Sequence, residues 1–136
     1  MGKNTSQMIS EAKALYKTLG SIYCPAIKQD VVFGHHGENH LFFDGHGHRR
    51  NEQNIRRRLY LLPLAPNIVK NGKPVKLKET RTIRVRGNIR EADFYEIGLS
   101  CLNGKFTEFA VVIVRKFPIG PFHYYSIRSK HKRRRK

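Results

Sequence analysis

Residues 93–117 read DFYEIGLSCLNGKFTEFAVVIVRKF, and this stretch decides the fold class. Between Asp93 and Leu102, the alternate positions Tyr95, Ile97, Leu99 and Cys101 share one side. Successive strand side chains point to opposite faces, so this spacing predicts a strand with one buried face. Asn103-Gly104 follows, a dipeptide suited to a two-residue hairpin because both residues tolerate positive φ. Phe106 to Phe117 is almost continuously apolar, as expected of a central strand covered on both sides.

Working outward, Thr80 to Arg86 alternates too. Ile83 and Val85 face one way, and Thr82, Arg84 and Arg86 face the other. Downstream, Pro118-Ile119-Gly120-Pro121 makes a turn, and Phe122 to Ile127 is the last expected strand. Upstream the period is helical. Thr5 or Ser6 caps a helix running to about Leu19, with Met8, Ala12, Leu15 and Leu19 on one face and Gly20 as the stop. Ile22 to Ile27 reads as an extended connector, Val31 to Phe33 as a short apolar strand, and Gly34 to Arg50 as a Gly/His-rich loop or loose hairpin.

A second helix starts at Asn51 with Ile55, Leu59 and Leu62 on one stripe, and Pro63 breaks or kinks it. A further turn from Leu64 to Lys70 ends at Asn71-Gly72. The expected architecture is α+β: two N-terminal helices packed on a four-stranded antiparallel β-meander, with the other sheet face open. Residues 1–127 form the single expected domain, and residues 128–136 a basic, disordered tail.

The charge is lopsided, with 27 Lys and Arg against 10 Asp and Glu in 136 residues. Arg128 to Lys136 supplies seven of the positive charges, and without it the net charge is still +10. Nucleic acid is the expected partner, because each phosphate neutralised releases counterions. No long amphipathic helix sets a basic face against Trp or Phe, which argues against a membrane-surface role. The N-terminus has no apolar signal core and no run has membrane-spanning length, so the chain reads as cytoplasmic. Cys24 and Cys101 are far apart, outside any CxxC spacing, and read as buried thiols.

Five of the seven histidines fall between residues 35 and 48. A metal site is one reading: His36 and His40 are four apart, and Asp44, His46 and His48 supply loop ligands. Gly34, Gly37, Gly45 and Gly47 argue against a helix that would align the first pair. A solvated loop is the plain alternative. The third reading is metal-free RNA cleavage. There the substrate supplies its own nucleophile, the ribose 2′-hydroxyl, and the protein needs one or two histidines and a few cations. With only 10 carboxylates, the chain is poorly supplied for a carboxylate-built two-metal nuclease.

Among the histidines His40 stands apart, because the packing of Leu41 and Phe42 fixes its position. Arg58 flanks the buried stripe of its helix and is the better phosphate clamp, whereas Arg56 and Arg57 lean outward. Arg84 and Arg86 are expected on the open sheet face. Ser126 alternates with Tyr125 and so is expected on the opposite face from it.

Taken in order, Cys24-Pro25-Ala26, Val31-Val32-Phe33, Gly37-x-x-His40-Leu41, Arg58-Leu59-x-Leu61-Leu62-Pro63, an arginine-bearing strand and Phe122-His-Tyr-Tyr-Ser126-Ile127 form a pattern. It resembles the barnase–EndoU–colicin–RelE nuclease superfamily, closest to its phage- and mobile-element-associated branch, over roughly residues 22–128. The resemblance implies a metal-independent, toxin-like endoribonuclease that needs no cofactor and leaves 2′,3′-cyclic phosphate ends. By position it assigns His40, Arg58, Arg86 and Ser126 as catalytic, with Arg115 in support. It also implies an acidic antitoxin or immunity protein as partner beside RNA. Arg56, Arg57, Arg84, Arg128, Lys130, Lys132, Arg133, Arg134, Arg135 and Lys136 are the expected nucleic-acid contacts. A non-catalytic RNA- or DNA-binding module and a histidine–metal nuclease are the alternatives.

Overall fold

The computed structural model describes residues 4–44, 47–103 and 106–134, with backbone only at 85, 103, 106 and 130–134. Helix α1 spans Thr5–Leu19 and is capped by Asn4 rather than by Thr5 or Ser6. The Asn4 carboxamide accepts from the Gln7 backbone at 2.8 Å, and the Gln7 side chain accepts in return from Asn4 N–H at 3.2 Å. Reciprocal capping satisfies two amides that the helix itself leaves without partners. The helix buries Ala12 and Tyr16, and Gly20 ends it at φ 56°.

Strands β1 (Ser21–Cys24) and β2 (Gln29–Val32) follow as an antiparallel hairpin. Next come α2 (His35–Asn39), α3 (Glu52–Leu61), a 3₁₀ turn (Leu62–Leu64) carrying Pro63, and α4 (Ala65–Asn71). Asn51 caps α3 by accepting from Asn54 N–H at 2.8 Å. Strands β3 (Lys73–Val85), β4 (Asn88–Asn103), β5 (Phe106–Lys116) and β6 (Phe122–Arg134) complete the chain.

All six strands form one sheet in the order β1-β2-β6-β5-β4-β3, and β2 runs parallel to β6. The expected two helices on a four-stranded antiparallel β-meander are therefore overturned. One helix precedes the first strands, and the sheet is six-stranded and mixed. The physical reason is that β1 and β2 have four residues each, too short to show a period. What holds them in the sheet is a non-local pairing, Val31 with Phe122 and Val32 with His123, that no local pattern announces.

Other boundaries shift for local reasons. The Gly/His-rich stretch holds a helical turn, α2. β3 starts at Lys73 rather than Thr80, where two register shifts and exposed side chains hide the alternation. A two-residue turn, Arg86 (φ 51°) and Gly87 (φ 81°), joins Val85 to Asn88. β6 runs past Ile127 to Arg134, along the stretch expected as a disordered tail. Gly104, His46, Arg135 and Lys136 lie outside the described residues.

The helices cover one sheet face. Ile55, Leu59, Leu62, Ile68 and Val69 pack on Ile97, Val112, Val114, Tyr124 and Ile127 in one core. Phe33 stacks on Tyr124 with ring centroids 4.9 Å apart. Beyond His123, no strand among the described residues pairs with β6 on the β2 side, and α2 and α3 contact β6. Gly37 makes this possible. A Cβ there would lie 2.6 Å from both the Tyr124 ring and the Tyr16 hydroxyl, and against the Tyr124 carbonyl. No helix among the described residues is long and apolar enough to cross a membrane.

Candidate nucleic-acid site

The site is built around a bulge in β6. Ile113 pairs with Ser126 and Val114 with Tyr124, so Tyr125 is an extra residue with no partner across the ladder. A bulge re-aims side chains and breaks strict alternation. The expectation that Tyr125 and Ser126 point to opposite faces is corrected on this ground. Ser126 shares the face of Ile113 and Arg115, and the Tyr125 ring lies 4.4 Å from the Arg115 guanidinium carbon.

His40 caps the C-terminal end of α2, its N–H donating to His36 O at 3.0 Å. Its ring centroid is 4.3 Å from that of Tyr125. Arg50 also holds it. Nε donates to the His40 carbonyl at 3.0 Å, and Nη2 lies 3.3 Å from both ring nitrogens. Burial and then the charges of Arg50, Arg58 and Arg115 push the His40 pKa down to about 4, against an opposing pull from Asp44. At neutral pH the imidazole is therefore uncharged.

Arg58 reaches across from α3. Its Nη1 donates to Ser126 Oγ at 2.7 Å and to the Ile127 carbonyl at 3.3 Å, while Nε donates to Asn54 Oδ1 at 3.0 Å. Because Ser126 Oγ accepts from Arg58, its own O–H remains a donor for a ligand. Burial lowers the Arg58 pKa, and the Arg50 charge adds to this. An open groove of about 580 Å³ runs beside Arg58, lined by Asn51, Asn54, Ile127 and Arg128. A larger groove of about 750 Å³ between α1 and α3 is mostly apolar and holds none of these histidines.

Four of the five expected catalytic residues converge: His40, Arg58, Arg115 and Ser126. Arg86 sits apart at the exposed β3–β4 turn, and its charge acts on His36 rather than on His40. Burial lowers the His36 pKa first, followed by Arg115, His35, Arg86 and His123. His123, paired across from Arg115, is lowered by burial and then by Arg115. Arg115 thus touches the electrostatics of three imidazoles.

Among the expected nucleic-acid contacts, three have partners within the fold and one lies on the other sheet face. Arg57 pairs with Glu108, whose side chain is fully buried. Arg56 donates to Thr5 Oγ1 at 3.0 Å and ties α3 to α1. Arg128 pairs with Glu96 at 2.8 Å. Arg84 pairs with Ile89 in the ladder, which puts it on the face opposite Arg90, Phe94 and Arg115. The side chains of Lys130, Lys132, Arg133 and Arg134 lie outside the described residues.

Arg50, Tyr125, Arg90 and His123 belong to this surface and were not singled out as site residues by sequence, and His36 was weighed only as a metal ligand. Only the loop position of Arg50 and the unusual His-Tyr-Tyr run offered a signal. For the metal reading, Asp44 accepts from His48 N–H at 3.0 Å. No group of three His, Cys, Asp or Glu side chains comes together among the described residues. No family model, curated protein or solved structure matches this chain.

Proposed function

We propose that the chain is a metal-independent endoribonuclease of the cytoplasm, in keeping with the nuclease-superfamily motifs that single out His40, Arg58, Arg115 and Ser126. The observation that carries this reading is the neutral imidazole of His40, held among Arg50, Arg58 and Arg115 with its ring against that of Tyr125. A neutral imidazole is the form that accepts the 2′-hydroxyl proton. An arriving phosphodiester adds negative charge beside these three guanidinium groups, and so raises the basicity of His40 as it binds. Arg58 and Arg115 then hold the charge that grows on the phosphorane, and the Ser126 O–H donates to a phosphate oxygen. An acidic antitoxin would bind the same cationic face.

The test is a DNA oligonucleotide carrying one ribonucleotide, incubated with the protein in excess chelator. Cleavage should occur 3′ to the ribose and leave a 2′,3′-cyclic phosphate. An uncut strand, or a cut at a deoxyribonucleotide, contradicts the reading.

A second reading, a binding module without chemistry, draws on one contact. Arg50 Nη2 lies against both ring nitrogens of His40, so the imidazole is covered until that guanidinium turns to a phosphate. Salt-sensitive RNA binding with no cleavage would favour it.

A further inference from the structure

Two guanidinium groups share one aromatic ring on the open sheet face. The Arg90 guanidinium carbon lies 4.2 Å from the Phe117 ring centroid, and that of Arg115 lies 4.9 Å from it. Arg115 also lies over Tyr125, which meets Phe94 edge-on at 5.7 Å. Among the described residues neither Arg90 nor Arg115 forms an ion pair. Arg81, over Phe94 at 4.9 Å, is by contrast held by Glu79. Burial and then, against Tyr125, the Arg90 charge lower the Arg115 pKa; the Arg90 charge is thus felt at Arg115, and an anion binding near both is favoured. Phe117 and Tyr125 are only partly buried, so part of each side chain reaches solvent.

We propose that Arg90, Phe117, Arg115 and Tyr125 form a track for single-stranded RNA that leads to His40. The two arginines take a phosphate, and the bases on either side stack against the rings and guanidinium planes. A duplex turns its base faces inward and offers these rings nothing to stack on, whereas an unpaired strand offers both base faces and backbone. This deepens the ribonuclease reading and rests on its RNA substrate, but it concerns binding and not the cleavage step.

The experiment is fluorescence anisotropy with a labelled 2′-O-methyl oligoadenylate of about ten nucleotides, which fits typical single-strand site sizes and cannot be cleaved at the ribose. An abasic strand and a duplex of the same length are the comparisons. Stacking of one base corresponds to roughly 5- to 150-fold in affinity, so the oligoadenylate should bind at least about tenfold tighter than the abasic strand. Phe117→Leu should remove most of that preference, and Arg90→Ala should weaken both single strands. Lys70→Ala on α4, which removes the same charge from the helix-covered side, should leave binding unchanged. Equal binding to the abasic strand, a preference for duplex, or indifference to both variants overturns the track. If RNA is cleaved but bases do not matter, the track fails and the nuclease reading stands. Base-dependent binding without cleavage supports the track and sinks the nuclease reading.

Discussion

Arg50 lies against the ring of His40, one of its terminal nitrogens 3.3 Å from both Nδ1 and Nε2. After burial, its charge is the next largest influence holding the His40 pKa near 4. Arg50→Ala should therefore move that pKa upward, toward 6.5, without reaching it, because the buried position remains. An NMR titration of the His40 ring checks this. The acid limb of any cleavage profile should move up with it. An unchanged titration would mean that the guanidinium is not seated on the ring in solution.

The same shift fixes a pH dependence of stability. His40 has a folded pKa of about 4 against roughly 6.5 when unfolded, so between those values the unfolded chain binds more protons. Stability should be unaffected by this group above about pH 6.5 and fall as pH drops toward 4. Burial lowers His36 and His123 in the same direction, so they add to the slope. Urea midpoints across this range should show the decline, and His40→Gln should make it shallower.

How much of this was legible in sequence depends on how local each cause is. The alternation of Ile97, Leu99 and Cys101 marks a strand, and Asn51 marks a helix start, because both signals lie within a few residues. The pairing of Val31 with Phe122 joins residues far apart and leaves no periodic trace. Ser126 was picked out by motif, but Tyr125 was expected on the opposite face, and the bulge at Tyr125 breaks the alternation on which that inference relied. Arg57 looked outward on a helical wheel, yet a long side chain can turn back to a buried carboxylate, and Glu108 is buried on the helix-covered face. Arg50 lay at the end of a stretch read as loop, where no period could aim it.

The Arg57–Glu108 pair should be a matter of stability and not of RNA affinity. Glu108 is fully buried, so Arg57→Ala removes a cation from a buried carboxylate, and breaking such a pair costs up to about 3–5 kcal/mol. Adding Glu108→Gln to that variant should recover much of the loss. Chemical denaturation measures both. RNA binding of the folded Arg57→Ala protein should stay close to wild type, and a large drop in affinity with little loss of stability would return Arg57 to the nucleic-acid surface.

Gly37 controls the seat of His40. A Cβ at this position would lie 2.6 Å from the Tyr124 ring and the Tyr16 hydroxyl, so Gly37→Ala must push α2 away from β6. Overpacking of this kind costs about 1–3 kcal/mol. Because His40 ends α2, its ring should lose register with Tyr125, and its NMR-titrated pKa should rise as burial decreases. A stability loss with the titration unchanged would show that α2 moves without carrying the site.

Everything proposed for this site depends on His40 acting without metal. The decisive measurement is RNA cleavage by purified protein in excess EDTA, wild type beside His40→Ala, with the fold of both checked by circular dichroism. Wild-type protein should cleave, and the variant should lose at least about a hundredfold, the scale of general acid–base catalysis. Equal cleavage by a folded His40→Ala protein, or wild-type activity that appears only when a divalent metal is restored, would contradict that role of His40.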